Sequence, residues 1–199
     1  MCGRFEFADD RDIEEVESII RQAQKNTDSV RAFKTGEIYP TNRVPIIARS
    51  SDGAYVGVMR WGFSIGGKPV INARSETASA KRMFASPMKT GRCVVPSTGF
   101  YEWTHIDGKP KDKLHFIEPN QKMLYMAALA AKYRVKGSEI LEDCFVILTR
   151  EANLFMSEIH NRMPVILHKN EIAKWLADEA FSERLLLRDS IELERKPAS

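Results

Sequence analysis

The chain has few cysteines and no long apolar run, and both absences narrow its class. Its 199 residues contain three cysteines, at positions 2, 93 and 144. An odd and sparse set is typical of a reducing compartment, so we expect a cytoplasmic protein without structural disulfides. No stretch approaches the roughly 18 apolar residues of a membrane span. Four charged residues between positions 4 and 10 interrupt any secretory signal. The sequence therefore predicts neither membrane attachment nor export.

Several cofactor-binding and catalytic motifs are also missing. The sequence has no Walker phosphate-binding loop, no Rossmann glycine fingerprint and no Gly-x-Ser-x-Gly nucleophile turn. It has no Cys-x-x-Cys pair, and its four histidines, at positions 105, 115, 160 and 168, lack the spacing of metal ligands. We therefore expect a function that requires neither a metal nor an organic cofactor.

The net charge of +3 is small, but the charges are unevenly distributed. Residues 72–113 hold eight Lys or Arg against four Asp or Glu, whereas residues 171–199 hold five against seven. A locally basic middle can meet the phosphates of a nucleic acid, and it can equally be a solvated surface with ordinary scatter.

Short apolar segments separated by turn signals fill the middle of the chain, and helical patterns lie toward its ends. This arrangement predicts an α+β fold: one domain over residues 1–199, with antiparallel or mixed β-sheets, a barrel-like core and peripheral helices. We expect Asp9 or Asp10 to cap the first helix, Asn170 and Ser182 to cap two closing helices, and the tail after Glu194 to be loose.

The most informative feature is Cys2, directly behind the initiator methionine. Removal of Met1 leaves an α-amine and a thiol on adjacent carbons, and both groups titrate near pH ~8 to ~8.5. Such an aminothiol condenses with an aldehyde to a Schiff base and then closes a five-membered ring. The alternative is that Cys2 is a small apolar residue of the first strand. If Met1 is retained, the amine belongs to the wrong residue and ring closure is blocked.

Polar residues embedded between apolar strands are the other candidates for chemistry. Glu102 shares a strand face with Phe100, an apolar setting that favours acid/base use of a carboxyl group. His160 suits proton transfer near neutral pH. Asn72 and Arg74 are two apart after a strand, so they project from one face; the amide can bind an amine or aldehyde oxygen and the guanidinium a phosphate. Each of these residues can instead have a structural role. Glu102 can form an ion pair or lie on an exposed edge strand, His160 can be a hydrogen-bonded structural histidine, and Asn72 can belong to a turn at the start of a helix.

Seven segments, taken in order, resemble the SOS response-associated peptidase (SRAP) family, also called abasic-site processing proteins. They are Met1-Cys2-Gly3-Arg4, Pro40-Thr41-Asn42, Arg60-Trp61-Gly62-Phe63, Asn72-Ala73-Arg74-Ser75-Glu76-Thr77, Arg92-Cys93 through Trp103, Leu148-Thr149-Arg150, and Ile159-His160-Asn161-Arg162-Met163-Pro164-Val165. Each is weakly specific alone, but the ordered set runs from residue 1 to about residue 176.

The resemblance implies capture of abasic sites in single-stranded DNA by a thiazolidine crosslink through the mature N-terminal cysteine. Cys2 corresponds to the nucleophile, and Asn72 to the residue that positions the amine and the nascent linkage. Glu102 corresponds to the acid that assists sugar ring-opening, and His160 to the residue that handles Schiff-base proton chemistry and crosslink reversal. The implied setting is DNA repair in the SOS response, with the protein at the nucleoid when bound to DNA.

The same resemblance implies a set of DNA-binding residues. Arg4, Arg74 and Arg162 match phosphate-binding arginines, and Thr149 and Trp61 are further candidates. One departure concerns a base-stacking loop: many members carry a second Trp shortly after the first, whereas this chain continues Ser64-Ile65-Gly66-Gly67. Ile65 is the candidate replacement, as an apolar wedge.

Two other functions stay open at the level of sequence. An N-terminal-nucleophile amide hydrolase or peptidase also uses a mature Cys-Gly start, with the α-amine as base. A single-strand binder in which Cys2 only packs predicts DNA affinity without a covalent product. For the crosslinking function we expect weak lyase activity, an autopeptidase step that removes Met1, and a monomer.

Overall fold

Strands dominate the chain, as its short apolar segments predict. The computed structural model describes residues 3–8, 10, 13–26, 33–66, 68–106, 109–135 and 140–198. Its strands are β1 (Arg4–Phe7), β2 (Gly36–Ile38), β3 (Arg43–Ser50), β4 (Gly53–Trp61), β5 (Phe63–Ile65), β6 (Lys68–Val70), β7 (Asn72–Arg74), β8 (Arg92–Ser97), β9 (Gly99–Ile106), β10 (Lys109–Ile117), β11 (Leu124–Arg134), β12 (Leu141–Glu151), β13 (Arg162–Pro164), β14 (Ile166–Leu167) and β15 (Glu194–Pro197). Its helices are α1 (Glu14–Lys25), α2 (Ser75–Ala78), α3 (Arg82–Thr90), α4 (Leu154–Ser157), α5 (Ile172–Ala177) and α6 (Glu179–Leu187), with a 3₁₀ turn at Lys169–Glu171.

Five strands close a small barrel. Around the ring, β12 pairs with β4, β4 with β3, β3 with β8, β8 with β11, and β11 with β12. The β12–β4 pairing is parallel and the other four are antiparallel. Closure removes the strand edges, so these strands can carry almost continuous apolar sequence. Strand β8 is buried at every position, since α5 and β1 contact it from outside the ring.

A second, fully antiparallel sheet has the order β15-β10-β9-β1-β2. Phe5 lies opposite Phe100 in this sheet, and the ring of Phe100 stacks on that of Phe116 with centroids 5.1 Å apart. All three are fully buried, so this face of the sheet belongs to the core. The buried apolar side chains of the described residues form one cluster. The structure therefore confirms the predicted α+β class with a barrel-like core in a single domain.

Trp61 joins the two sheets. Its ring lies 5.1 Å from that of Phe5 in the small sheet and stacks on Phe145 of the barrel at 6.3 Å. The indole N–H donates to the carbonyl oxygen of Ile71 at 3.0 Å, so the one polar atom of this fully buried side chain is satisfied.

The predicted helix ends were partly wrong. Helix α1 begins at Glu14 with Ile13 at its N-cap and no capping side chain. The N–H of Ile13 donates to the backbone oxygen of Asp10, and Asp9 lies outside the described residues. Ser182 lies inside α6, whose cap is Asp178: its carboxylate accepts from the backbone N–H of Phe181. Asn170 lies within the 3₁₀ turn before α5. A Ser, Asp or Asn side chain caps a helix only if it lies at the residue where the helix begins. Tertiary packing determines that residue, so the residue type alone does not predict the cap.

The tail after Glu194 also differs from its prediction. Residues Glu194–Pro197 form β15, paired antiparallel with β10 at the edge of the small sheet. The segment is exposed and has no apolar periodicity, so main-chain hydrogen bonds to a neighbouring strand hold it. Among the described residues, no helix is long and apolar enough to cross a membrane.

Gly91 supplies a test of how tightly α3 is seated on the barrel. Its carbonyl oxygen accepts from the N–H of Ala130, and a Cβ here would lie 2.2 Å from the Ala130 carbonyl oxygen. We expect Gly91→Ala to lower the free energy of unfolding by about 1–3 kcal/mol, because the backbone must move to relieve this overlap. Urea unfolding measures the change. Ser86→Ala, on the exposed face of the same helix, is the control; equal stability of the two variants would contradict the prediction.

Candidate active site

Strand β12 carries the segment with Asn72 and Arg74 on one side. Strand β7 runs parallel to β12, with Asn72 opposite Ile147 and Arg74 opposite Thr149. The N–H of Ile147 donates to the carbonyl oxygen of Ile71 at 3.0 Å, which fixes where this segment meets the barrel. Pairing with β12 therefore fixes the positions of Asn72 and Arg74, the two residues predicted to project from one strand face.

The other side of β12 carries the segment with His160 and Arg162. Strand β13 pairs antiparallel with β12, which places Arg162 opposite Glu151. Helix α4 precedes this strand, and the N–H of His160 donates to the carbonyl oxygen of Met156 at 3.0 Å. His160 is thus held in a turn between α4 and β13, on the opposite edge of the strand that anchors Asn72.

Glu102 is buried, with 4% of its surface exposed, and lies opposite Leu114 in the small sheet. Its side chain alternates with Tyr101 and Trp103 and shares the inward face with Phe100, as predicted from the period of a strand. Burial lowers the pKa of His160 below its ordinary value, and the charge of the Glu102 carboxylate opposes that shift. The structure therefore brings Glu102 and His160, 58 positions apart, within electrostatic range.

The N-terminal segment enters beside Glu102. Strand β1 begins at Arg4, which lies opposite Tyr101, the residue before Glu102. Cys2, the predicted nucleophile, lies outside the described residues. Both neighbours of β1, β2 and β9, are antiparallel to it, so the direction and register of the chain after Gly3 are fixed on both sides.

Arg4 is held at the solvent side of the small sheet by two rings and a carboxylate. Its guanidinium carbon lies 4.4 Å from the ring centroid of Tyr39 and 4.9 Å from that of Trp103. It also pairs with Glu37 at 3.1 Å, and Lys113 reaches the same carboxylate at 3.0 Å. Cation–π contacts with these two rings orient this guanidinium.

Arg162 is buried and engaged with protein groups. Two of its nitrogens donate to the two carboxylate oxygens of Glu76 at 2.7 and 2.8 Å, and Nη2 also donates to the carbonyl oxygen of Thr149 at 2.7 Å. The hydrogen bonds from Arg162 hold the pKa of Glu76 down at about 2, against the raising effect of burial. Arg162 was predicted to bind phosphate; in this conformation its fork is filled by Glu76.

Two other predicted DNA-binding residues are fully buried. Thr149 lies inside the barrel wall, and its hydroxyl lies 3.5 Å from the carbonyl oxygen of Ala73. Trp61 is enclosed between Phe5 and Phe145. Neither side chain presents a surface to a strand of DNA, so the prediction of direct contact is corrected for both. Their polar atoms serve main-chain carbonyls, as buried polar groups generally do.

Arg74 and Asn72 line an open groove of about 1390 Å³ between the β5–β6 hairpin, α3 and β11. Its walls combine cations with apolar side chains. They include Arg74, Lys81, Arg82 and Lys132, together with Ile65, Val70, Met83, Phe84, Pro87 and Tyr133. Ile65, at the hairpin, is 38% exposed. A second groove, of about 1140 Å³ between α1 and the loop before β11, contains none of the predicted site residues.

Sequence reasoning left Glu76 without a role. The residue lies in the family-matching segment from Asn72 to Thr77, but its partner Arg162 is 86 positions away. The only local signal was an acidic residue in the first turn of α2, which begins at Ser75. Within the described part of the chain, no group of three or more His, Cys, Asp or Glu side chains could hold a metal ion.

The chain is similar to several known proteins. The chain is 35% identical over 190 residues to the abasic site processing protein YoaM of Bacillus subtilis, covering 88% of this chain and 79% of that protein. It is 26% identical to the abasic site processing protein YedK of Escherichia coli, covering 90% of this chain and 81% of that one. A crystal structure of a Bordetella bronchiseptica protein superposes with a TM-score of 0.78 at 23% identity and covers all of both chains.

A second crystal structure, of a Bacteroides thetaiotaomicron protein, superposes with a TM-score of 0.75 at 23% identity, over all of this chain and 92% of that one. At such identities the two structures support the fold alone. The decisive match is to a family model, described as SOS response associated peptidase (SRAP), which spans residues 1–195. Together with the YoaM relationship, this match shows that the chain belongs to the SRAP family.

Proposed function

We propose that this protein processes abasic sites in DNA by bonding covalently to them through Cys2. The observation that carries the proposal is the approach of buried Glu102 to His160 beside the strand that begins at Arg4. An acid and a base near the first strand suit a reaction of an N-terminal residue with a carbonyl compound. The names of the relatives YoaM and YedK agree with an abasic site as the substrate.

The chemistry balances without a cofactor. An abasic sugar in its ring-opened form carries an aldehyde. The α-amine of mature Cys2 adds to the aldehyde carbon, and the carbinolamine loses one water to give an imine. The thiol then adds to the imine carbon, and its proton passes to the nitrogen. One C–N and one C–S bond form at a single carbon, one water leaves, and no electron acceptor is needed.

Each predicted catalytic residue has a role in this sequence. Glu102 transfers the proton that opens the sugar ring, since a buried carboxyl group can do so without competition from water. Neutral His160 accepts and returns protons at the imine stage, which also serves reversal of the crosslink. Asn72 orients the amine through its amide. Imine formation also permits β-elimination, so weak strand-cleaving lyase activity accompanies the main reaction.

Removal of Met1 precedes this chemistry. The reaction requires the α-amine and the thiol on the same residue, so a chain that retains Met1 is inactive in it. We include an autopeptidase step in the proposal because the family description names a peptidase. Intact mass measures the outcome directly.

The groove beside Asn72 is the proposed path of the single strand. Its exposed cations, Arg74 and Lys81 among them, suit phosphates, and its apolar walls suit unstacked bases. Ile65, at the lip, is the candidate wedge in place of the second tryptophan found in many family members. Arg4, on the first strand, is a further candidate for a phosphate contact, and the rings of Tyr39 and Trp103 hold its guanidinium.

The direct test is a covalent product with an abasic oligonucleotide on denaturing electrophoresis. We expect the processed wild-type protein to give a shifted band, with a mass equal to protein plus DNA minus one water, and Cys2→Ala to give none. Cys144→Ala is the control, because burial raises the pKa of that thiol to about 11 and removes it from reaction. Equal yields from wild type and Cys2→Ala would refute the proposal.

The DNA path predicts a specific salt dependence. For an intact single strand, Arg74→Gln and Lys81→Gln should each weaken binding and each reduce the slope of log K against log salt by about 0.7, because one phosphate contact is lost. Fluorescence anisotropy at several salt concentrations measures this slope. Lys25→Gln, which removes an exposed cation on α1, serves as the control. If both groove variants keep the wild-type slope, the single-stranded DNA does not follow this groove.

The setting of His160 predicts its titration. Burial disfavours the imidazolium, so the ring should titrate below its ordinary pKa of 6.5 and be mostly neutral at pH 7. Because the Glu102 carboxylate favours the charged ring, Glu102→Gln should lower the His160 pKa further. Ring carbon and proton shifts followed by NMR across pH report both values. A wild-type midpoint above 6.5, or an upward move in Glu102→Gln, would contradict the described geometry.

A further inference from the structure

Tyr133 lies where the barrel meets the groove beside Asn72. It is near the C-terminal end of β11, opposite Glu142 of β12, and it lines the groove. Among the described residues that line this groove, two are aromatic, Phe84 and Tyr133. Phe84 is buried, with 4% of its surface exposed, whereas Tyr133 is half-buried. Tyr133 is therefore the ring that a molecule in the groove can reach.

The core covers one face of the Tyr133 ring. This ring stacks on Phe63, with the ring centroids 4.5 Å apart and an angle of 24° between the ring planes. Phe63 is fully buried, and its ring centroid lies 6.1 Å from that of Phe84 on α3. Because one face of the Tyr133 ring packs against a buried side chain, a molecule in the groove can meet only its opposite face and its edge.

Main-chain constraints fix the position of Phe63. Gly62 has a φ of +110°, a region that favours glycine, and a Cβ there would lie 2.9 Å from the Cβ of Pro69. The N–H of Gly62 donates to the carbonyl oxygen of Phe145 at 2.7 Å, and Phe63 lies opposite Val70 in the β5–β6 hairpin. The ring that supports Tyr133 is thus in place before a ligand binds, which reduces the entropy lost on binding.

The rest of the groove suits the other parts of a nucleotide chain. Its volume of about 1390 Å³ exceeds the roughly 300–1,000 Å³ of small-molecule sites, which favours an extended ligand. Lys81 and Arg74 supply cations for phosphates, and the small side chains of Ala130 and Ala131 leave room near the ring. Burial raises the pKa of Tyr133, so its hydroxyl stays protonated and adds no negative charge.

We propose that the groove-side face of the Tyr133 ring is the stacking surface for one unpaired base of the single strand. This inference rests on the proposed DNA path and deepens it, because it names a subsite for a base. Every base has a π-face, so the subsite accepts all four bases. Ile65, the candidate wedge, has no aromatic face. The two side chains therefore act differently: Ile65 separates neighbouring bases, and Tyr133 holds one of them.

A purely structural role for Tyr133 makes different predictions. In that case the ring only covers Phe63, and its loss lowers stability. Any effect on DNA binding would then be the same for a strand with bases and a strand without them. A stacking surface, by contrast, contributes affinity only when the strand carries a base that can stack on it.

The experiment compares two strands of equal length, oligo-dT and a base-free strand of tetrahydrofuran phosphate units. Neither contains an aldehyde, so both report binding without covalent reaction. Tyr133→Leu in the full chain should weaken binding of oligo-dT about tenfold, the effect of losing one stacked base, and should leave binding of the base-free strand unchanged. Fluorescence anisotropy at one low salt concentration measures both affinities. Oligo-dA and oligo-dC should behave like oligo-dT.

Matched variants separate the ring from its hydroxyl and from general effects. Tyr133→Phe keeps the ring, so it should bind both strands as wild type does. Tyr55→Leu removes another partly exposed ring, which lines the second groove, and should change neither affinity. Tyr133→Met replaces Tyr133→Leu if that variant fails to fold.

A second measurement needs only the wild-type protein. A strand that carries 5-iododeoxyuridine forms a covalent adduct on irradiation with an aromatic side chain that stacks on the modified base. With the modified base moved along the strand, mass spectrometry of protein fragments should locate an adduct on Tyr133 for at least one position.

Three results would overturn the inference. They are equal affinities of wild type and folded Tyr133→Leu for oligo-dT, an equal loss on both strands, and photoadducts at other residues with none on Tyr133. The proposed reaction is tested separately. If the base-dependent loss is found but wild type forms no covalent product with abasic oligonucleotide, the reaction fails and the base subsite stands. A covalent product without the base-dependent loss removes only the subsite.

Discussion

The pairing of strand β12 with neighbours on both edges is the constraint on which the rest of the structure depends. On one edge it closes the barrel against β4 and then receives β7, and on the other it pairs with β11 and then with β13. Hydrogen-bond registers are discrete, and the observed pairing places Asn72 opposite Ile147 and Arg162 opposite Glu151 on β12. Main-chain pairing with β12 therefore positions the segments that carry the site residues. Side-chain contacts then set the orientation of the individual groups.

The small sheet contributes the third side of the candidate site, next to the β7 and β13 segments. Trp61 packs between this sheet and the barrel. The indole fills the space between Phe5 and Phe145 and satisfies its N–H on Ile71, the residue before Asn72. Burial of this large ring therefore links the N-terminal strand, the barrel and the Asn72 segment in one packing unit. Of the family-matching residues, Trp61 and Thr149 lie in the core, whereas Arg74 lines the groove and Arg4 contacts the rings of Tyr39 and Trp103.

The abundance of strands in the middle of the chain could be read from local sequence, since short apolar segments alternate there with turn residues. Helix caps and the last strand could not. Ser182 has the right chemistry for a cap but lies inside α6, and Glu194–Pro197 has no strand pattern yet pairs with β10. Edge pairing is a property of the neighbouring strand, so no feature of the tail itself could reveal it.

For the site, the sequence alone determined which residue types are available: an aminothiol behind Met1, a carboxyl group on an apolar strand face, a histidine in a turn, and an Asn–Arg pair. It also determined the family, through the order of its motifs. Only the tertiary structure decided which of these groups meet, and that Arg162 belongs to Glu76. The physical reason is distance along the chain. Contacts between residues 58 or 86 positions apart depend on barrel closure and strand register, which many residues set together and no local pattern encodes.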